Sequence, residues 1–237
     1  MPSFLVDSED KLIHCLQVII TDLHCVQPTL SSKEPLFCDF EGIKLGKDGE
    51  LCLGQFATRK HTFLIDFIQL RQNVTAIEYE NISIKTLLEA PDIIKVIFDP
   101  RRDSMALFFQ YNIAMQGVIC LQLLDVACRR KRGHEVPYVR GLAKMLPPSD
   151  QSIKQAGKNM FLNNPYVWKE RPLPDLLIKY STLDVEELIP LYDKFKNQLN
   201  LYWINLVINA SKERVEVYTN PDIDFSNAKA SRRAPKF

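Results

Sequence analysis

Apolar and polar positions along this chain predict both strands and helices. A short strand is expected at 4–6, and apolar residues then recur at helical spacing over 12–23, after an N-cap at Asp7 or Ser8. Three compact apolar strings within 36–68 are typical of an antiparallel meander. An apolar string at 95–99 precedes a helical pattern, and the string at 118–129 predicts a strand followed by a helix. This order predicts an α/β fold whose mixed sheet, an antiparallel meander plus parallel strands, is flanked by α-helices.

The second half of the chain is less regular. The pattern weakens between 129 and 165, where basic, Pro and Asn residues accumulate. A long helical pattern returns over 176–206, and a kink or break is expected at Pro190. The segment after Val215 is polar. We therefore expect one domain at 1–210, followed by a polar C-terminal extension at 211–237.

Composition narrows the class of protein. The 46% hydrophobic share is ample for a core, and the net charge of +1 provides no general attraction to polyanions. The six cysteines form no CxxC pair and are interpreted as reduced thiols of an intracellular protein, nuclear or cytoplasmic. Charges interrupt the early apolar stretches, and no run approaches the length of a membrane span, so neither a signal peptide nor membrane insertion is expected. The oligomeric state stays open.

Acidic residues inside apolar strings are the main chemical signal. Asp39 and Glu41 in FCDFEG are two positions apart, so on a strand they share a face. Tyr180 and Asp184 in YSTLDVEEL are four apart, so on a helix they also share a face. Carboxylates are rarely buried without a partner, and a divalent cation that prefers oxygen ligands can serve as one.

Three strings in order carry a family resemblance: FCDFEG, KVIFDPRRDSMAL and WKERPLPDLLIKYSTLDVEEL. Together they resemble the motifs of the DEDDy 3′–5′ exonucleases of the DnaQ-like superfamily, which include RNase D and the Werner-type domains. The resemblance covers roughly residues 4–205. The W-x-x-R-P-L-P string is a feature of RNase D-like members, and the tail is similar to that of Egalitarian-like and fungal members. The resemblance implies a ribonuclease H-like fold.

The second motif contains two acids, and their spacing alone does not choose between them. Asp99 ends the apolar strand, whereas Asp103 falls at the start of the following helix. Four-residue spacing could present both on one helix face. We favour Asp103, because a Ser-x-x-Leu string follows it as in the family.

The resemblance implies a catalytic site with two Mg²⁺ or Mn²⁺ ions. Asp39 would bridge both ions, Glu41 and Asp184 would complete the site on the nucleophile side, and Asp103 would hold the other ion, through water. Tyr180 would orient the attacking water, since a phenol with a pKa of about 10 is a poor base at neutral pH.

Nucleic-acid contacts are expected at two places. Phe40 and Leu45 are candidates for wedging against terminal bases, although core packing explains both equally well. A basic run can contact phosphates or form an ordinary solvated face; it consists of Arg129, Arg130, Lys131 and Arg132.

Two functions follow as hypotheses. The first is a metal-dependent 3′–5′ exonuclease that hydrolyses phosphodiester bonds at the 3′ ends of single-stranded RNA or DNA. The alternative is a weakly active or inactive adaptor that binds RNA or a protein partner in RNA silencing or processing. The sequence does not discriminate RNA from DNA. A hydrolase built on Ser or Cys with His has no supporting motif.

Overall fold

A mixed β-sheet forms the centre of the protein. The computed structural model describes residues 1–25, 30–220, 222 and 232–237. In this part of the chain the sheet has six strands in the order β1-β4-β3-β2-β5-β6. Strands β2, β3 and β4 form an antiparallel meander, whereas β1 runs parallel to β4, and β5 and β6 continue the sheet parallel to β2. The strands are β1 Ser3–Val6, β2 Leu36–Ile43, β3 Glu50–Ala57, β4 Thr62–Asp66, β5 Lys95–Ile97 and β6 Val118–Cys120.

Helices cover both faces of this sheet. In chain order they are α1 Glu9–Asp22, α2 Phe67–Leu70, α3 Asn73–Ala76, α4 Ile84–Glu89, α5 Arg101–Tyr111, α6 Leu121–Lys131, α7 Pro148–Asn163, α8 Asp175–Glu186, α9 Leu188–Lys196 and α10 Leu201–Thr219. Two 3₁₀ turns, Leu142–Met145 and Pro165–Lys169, flank α7. The predicted mixed sheet flanked by helices is confirmed.

The apolar core lies on both sides of the sheet because the strands alternate their side chains. One cluster fills the space between the sheet, α1 and α4, and includes Phe40 and Phe56. A second joins the opposite face to α6, α9 and α10, and includes Phe37 and Tyr192. A third, smaller cluster under α8 contains Trp168. The face of β2 that carries Asp39 and Glu41 is therefore bounded by apolar packing.

At three places the structure adds detail to the sequence pattern. Helix α7 fills much of the irregular 129–165 stretch, starting at the Pro147–Pro148 pair, because proline suits a first helical turn. The helix break falls at Glu187 rather than at Pro190. Pro190 lies in the first turn of α9, where backbone N–H groups have no partner within the helix, so the N–H that proline lacks is not missed. The expected boundary at 210/211 falls inside α10, whose Val215 is buried against the core. Residues 211–219 therefore pack with the domain, and most of the rest of the expected extension lies outside the described residues.

In the part of the chain that the structure describes, every helix is too short or too polar to cross a bilayer.

Candidate metal centre

The central strand β2 presents the first two acids. Its alternation places Asp39 and Glu41 on one face, while Phe40 points into the core on the other. The neighbouring strand β5 ends at Ile97, which pairs with Cys38. Asp39 therefore lies just past the end of β5, where the chain turns toward α5.

Helix α8 brings the third acid to the same face. It packs across β2, β3 and β4 and buries Tyr180 and Asp184 on one side. One carboxylate oxygen each from Asp39, Glu41 and Asp184 lie within 4.8 Å of one another. Residues from two distant elements therefore form a compact set of oxygen ligands.

The two acids of the second motif have different surroundings. Asp103 lies in the first turn of α5, only 5% exposed, and its pKa is raised by burial and by the charges of Asp39, Asp99 and Glu41. Asp99 is instead held by ion pairs with Arg101 and with Arg214, the latter at 3.5 Å. Asp103 is therefore buried where the charges of Asp39 and Glu41 act on it, but it is not one of the three described acids whose oxygens converge.

Crowding changes the protonation of the cluster. Burial first, and then the charge of Asp184, raise the pKa of Asp39 to about 8, although Lys154 acts in the opposite direction. Burial and the neighbouring charges of Asp39 and Asp184 likewise hold the pKa of Glu41 well above its ordinary value. Burial also raises the pKa of Asp184. Such shifts are expected where like charges are brought together out of water.

The donor set fits a hard divalent cation. All of the converging ligand atoms are carboxylate oxygens, which Mg²⁺ and Mn²⁺ prefer. Asp184 Oδ2 is buried without a hydrogen-bond partner among the described residues, so it retains a free ligand position. A cation at this point would offset the repulsion that raises the carboxylate pKa values.

A lysine from α7 also reaches the cluster. The Lys154 ammonium donates a hydrogen bond to Asp184 Oδ1 and stands 3.4 Å from the centre of the Tyr180 ring. Sequence reasoning missed Lys154, because it lies in the stretch where the pattern was weakest. No local signal would have indicated it.

Two of the acids, Asp39 and Asp184, line a cavity of about 670 Å³. Its walls combine the cluster with α7 and with the turn that precedes α7. The residues that line it include Asp39, Phe98, Lys154, Lys158, Tyr180 and Asp184.

Tyr180 is fixed on several sides. The rings of Phe161 and Trp168 lie 5.6 and 6.2 Å from its ring, centre to centre. Burial, the charges of Asp184, Glu41 and Asp39, and a hydrogen bond to Glu41 raise the pKa of the Tyr180 phenol above its ordinary value. The phenol is therefore protonated at neutral pH and serves as a donor.

Arg171 of the W-x-x-R string fixes the segment that leads into α8. Arg171 forms a two-pronged ion pair with Asp66, which is fully buried, and also donates to the Trp168 carbonyl at 2.9 Å. Asp66 in turn accepts hydrogen bonds from Ile68 and Gln69 at the start of α2. The pair connects the segment before α8 to the end of β4.

Sequence reasoning also missed Gln55. It is paired directly with Asp39 across β2 and β3, is fully buried, and has no hydrogen-bond partner among the described residues for either amide atom. The pairing register of the two strands was the only signal that could have indicated it.

The aromatic candidate for nucleic-acid contact lies in the core. Phe40 is 2% exposed and packs edge-on against Phe56 and Phe67, on the face of β2 opposite the acids. Its position corresponds to the core-packing alternative. Leu45 is half-buried and packs against the same core cluster.

The basic run makes contacts within the protein. Arg129 pairs with Asp125, while Lys131 and Arg132 bind Gln198 after α9. Arg130 binds backbone carbonyls of the C-terminal segment at Pro235 and Phe237. None of these four residues is among those that line the acid cavity, and nucleic-acid contact by this run stays a prediction.

Comparisons with known proteins agree with this architecture. A family model of 3′–5′ exonucleases matches residues 21–200. The piRNA biogenesis protein EXD1 of Mus musculus is 29% identical over 161 residues, which cover 64% of this chain and 27% of that protein. The chain thus spans only about a quarter of that relative's length.

Solved structures share the fold. RNase D of Trypanosoma brucei, in complex with RNA U12, superposes with a TM-score of 0.74 at 22% identity, over 99% of this chain and 76% of that one. RNase D of Escherichia coli, an exoribonuclease involved in structured RNA processing, gives 0.65 at 17% identity, over 93% and 51%. These likenesses confirm the ribonuclease H-like fold. With the family model matching most of its length, this chain belongs to the 3′–5′ exonuclease domain family.

Proposed function

We propose that this chain is a metal-dependent exonuclease that removes nucleotides from the 3′ ends of single-stranded RNA or DNA. One observation carries the proposal: Asp39, Glu41 and Asp184 bring carboxylate oxygens within 4.8 Å of one another at a cavity of about 670 Å³. Membership of the exonuclease family and the fold shared with RNase D support it.

Two divalent ions, Mg²⁺ or Mn²⁺, fit the proposed chemistry. Asp39, Glu41 and Asp184 would hold these ions, together with Asp103. Bound there, such ions supply a water of lowered pKa and offset the charge that develops on the phosphodiester.

The chain's own groups orient the reaction. Tyr180 stays protonated and donates to Glu41, so its role is to position a water rather than to remove a proton. Packing against Phe161 and Trp168 holds the phenol in one place. The buried Asp66–Arg171 pair holds the segment that leads into α8. Together these contacts keep Tyr180 and Asp184 in register with β2.

The test is a cleavage assay on matched substrates. Single-stranded RNA and DNA of one sequence, each labelled at the 5′ end, are incubated with the protein in Mg²⁺, in Mn²⁺ and in chelator. We expect a ladder that shortens from the 3′ end only when metal is present, and the comparison ranks RNA against DNA.

Two variants show whether any cleavage depends on the acid cluster. Asp39→Asn should abolish the ladder, while Asp48→Asn, which changes an exposed acid in a turn, should leave it unchanged. Circular dichroism of both variants checks that they fold. Intact substrate in every lane from a folded, metal-supplemented protein would refute the exonuclease proposal.

A second candidate is an adaptor that binds RNA without cutting it, in an RNA-silencing setting. The similarity to a piRNA biogenesis protein favours this candidate. It predicts that single-stranded RNA binds with equal Kd in chelator and in Mg²⁺, and that Asp39→Asn leaves this Kd unchanged. Cleavage that depends on Asp39 would exclude an adaptor without activity.

A further inference from the structure

Lys154 is the one lysine of α7 that is buried in the acid cluster. The residue is 8% exposed, and its ammonium donates to Asp184 Oδ1. Lys158 lies one turn further along α7 and also lines the cavity, but it is exposed. The two lysines therefore share a helix and a cavity and differ in their contact with the acids.

The position of the Lys154 ammonium is set by the packing of α7 against α8. Gly157 follows Lys154 by three positions, so both lie on one face of α7. A Cβ atom at Gly157 would lie 2.3 Å from Tyr180 Cδ2, which shows that the helix backbone rests directly on the tyrosine ring. The same ring receives the Lys154 ammonium at 3.4 Å from its centre. The close approach of α7 to α8 thus fixes where the positive charge sits.

The positive charge of Lys154 stabilises the carboxylates that surround it. A buried lysine is costly unless it is paired. Lys154 is paired with Asp184, and its charge acts on Asp39 and Glu41 as well. It therefore offsets repulsion among the same three acids whose oxygens lie within 4.8 Å of one another.

A divalent ion and this ammonium require the same carboxylate. Asp184 offers two oxygens, of which Lys154 uses Oδ1, while Oδ2 has no partner among the described residues. A divalent cation on Asp184 would lie within a few ångströms of the ammonium, and two cations so close repel each other.

We propose that Lys154 is an intramolecular counter-cation that competes with the divalent ion for Asp184. Metal binding then displaces the ammonium from the carboxylate, and the contact between α7 and α8 sets the affinity of the site for metal. Lys154 is a positioning residue in this scheme, since it acts on the metal ligands. The inference rests on the proposed function, because it assigns the acid cluster to metal.

The first test measures Mn²⁺ affinity by calorimetry in wild type, Lys154→Met and Lys158→Met. Removing the competing charge should lower the Kd for Mn²⁺ about tenfold, equivalent to about 1.4 kcal/mol. Lys158→Met keeps the same helix and should leave the Kd within about twofold of wild type. An unchanged or higher Kd in folded Lys154→Met would overturn the proposal.

A second test uses the wild-type protein, in case Lys154→Met does not fold. An amine-reactive reagent is applied in chelator and in saturating Mn²⁺, and mass spectrometry quantifies modification at each lysine. Displacement from Asp184 should raise the labelling of Lys154 several-fold with Mn²⁺, while Lys158 changes little. Equal labelling of Lys154 under both conditions would contradict the displacement.

Asp39→Asn separates this inference from the proposed function. If Mn²⁺ binding is lost in Asp39→Asn but unchanged in Lys154→Met, the acids bind metal and the proposed competition by Lys154 is rejected. Absence of Mn²⁺ binding in wild type would reject both.

Discussion

Asp99 and Asp103 are chemically identical and four residues apart, yet their surroundings in the fold differ. Asp99 is held by Arg101 and Arg214, so its charge is balanced by arginines. Asp103 is buried, and its pKa is raised by burial and by the charge of Asp39. At the scale of the residue, partners rather than side-chain type decide which acid can serve a metal.

This difference predicts an asymmetric response to mutation. We expect Asp103→Asn to lower the cleavage rate about 100-fold or more, because it removes a charge that would hold the second ion. Asp99→Asn should cost less than about tenfold in rate and act mainly through stability, since it breaks an ion pair. Single-turnover rates together with urea denaturation of both variants check this, and equal losses of rate would contradict the assignment.

Asp39 predicts a pH dependence of stability. Its pKa is about 8 in the folded protein against an ordinary 3.8. Because the folded value is the higher one, its contribution to the free energy of unfolding is full below about pH 4 and is lost as the pH rises toward 8.

In chelator we therefore expect the wild type to lose stability between about pH 5 and pH 8. Asp39→Asn should lose less over this range, since an amide does not ionise. Urea denaturation at both ends of the range measures the effect, with Asp48→Asn as the control. If the free energy of unfolding changes with pH equally in wild type and in Asp39→Asn, ionisation of Asp39 does not destabilise the folded protein.

At the scale of elements, α7 is the part that completes the site. It supplies Lys154, packs Phe161 against Tyr180, and rests on α8 through Gly157. Its start is a proline pair, and its buried face is narrow, with Lys154 and Gly157 as its buried residues. A helix with so few buried residues depends on its close approach to α8, so a small increase in side-chain volume at that contact should displace it.

Gly157→Ala tests this close approach. In a helix interior the change alone should stabilise by about 1 kcal/mol. Here the added methyl would lie 2.3 Å from Tyr180 Cδ2, so overpacking should instead lower the free energy of unfolding by about 1–3 kcal/mol and reduce kcat.

Gly141→Ala is the matched control, because a Cβ there has open space within 4 Å and the residue lines the same cavity. Thermal unfolding and cleavage rates of the two variants should diverge. A Gly157→Ala protein that is more stable and equally active would show that α7 is free to shift.

For the whole molecule, the ligand set exists only when the chain is folded. β2 and α8 contribute the three converging acids, which lie between positions 39 and 184 in sequence. A metal that binds this set should therefore bind the folded state almost exclusively. Ligand binding of this kind stabilises by about 2.7 kcal/mol at a hundredfold excess over Kd.

We expect saturating Mn²⁺ to raise the Tm of the wild type by about 5–10 °C relative to chelator. Asp39→Asn should show little of this increase, because it loses one of the three carboxylates proposed to bind the ion. Differential scanning calorimetry provides the measurement. An equal increase in both proteins would place the Mn²⁺ effect elsewhere on the molecule.

The sequence alone predicts which neighbouring residues share a face of a strand or a helix. Strand alternation placed Asp39 and Glu41 on one face, and helical spacing did the same for Tyr180 and Asp184, because these periods are properties of the backbone. The order of strands and helices likewise predicted the mixed sheet. These relations hold over a few residues, so the spacing of the chain contains them.

Tertiary structure decided what depends on distant partners. It separated Asp103 from Asp99, directed Phe40 into the core, engaged Arg130 with the C-terminal segment, and brought Lys154 to Asp184. No local period encodes these contacts, because each depends on how an element packs against another far along the chain. The acids of the candidate centre could be read from the sequence, whereas the cation that faces them became visible only in the fold.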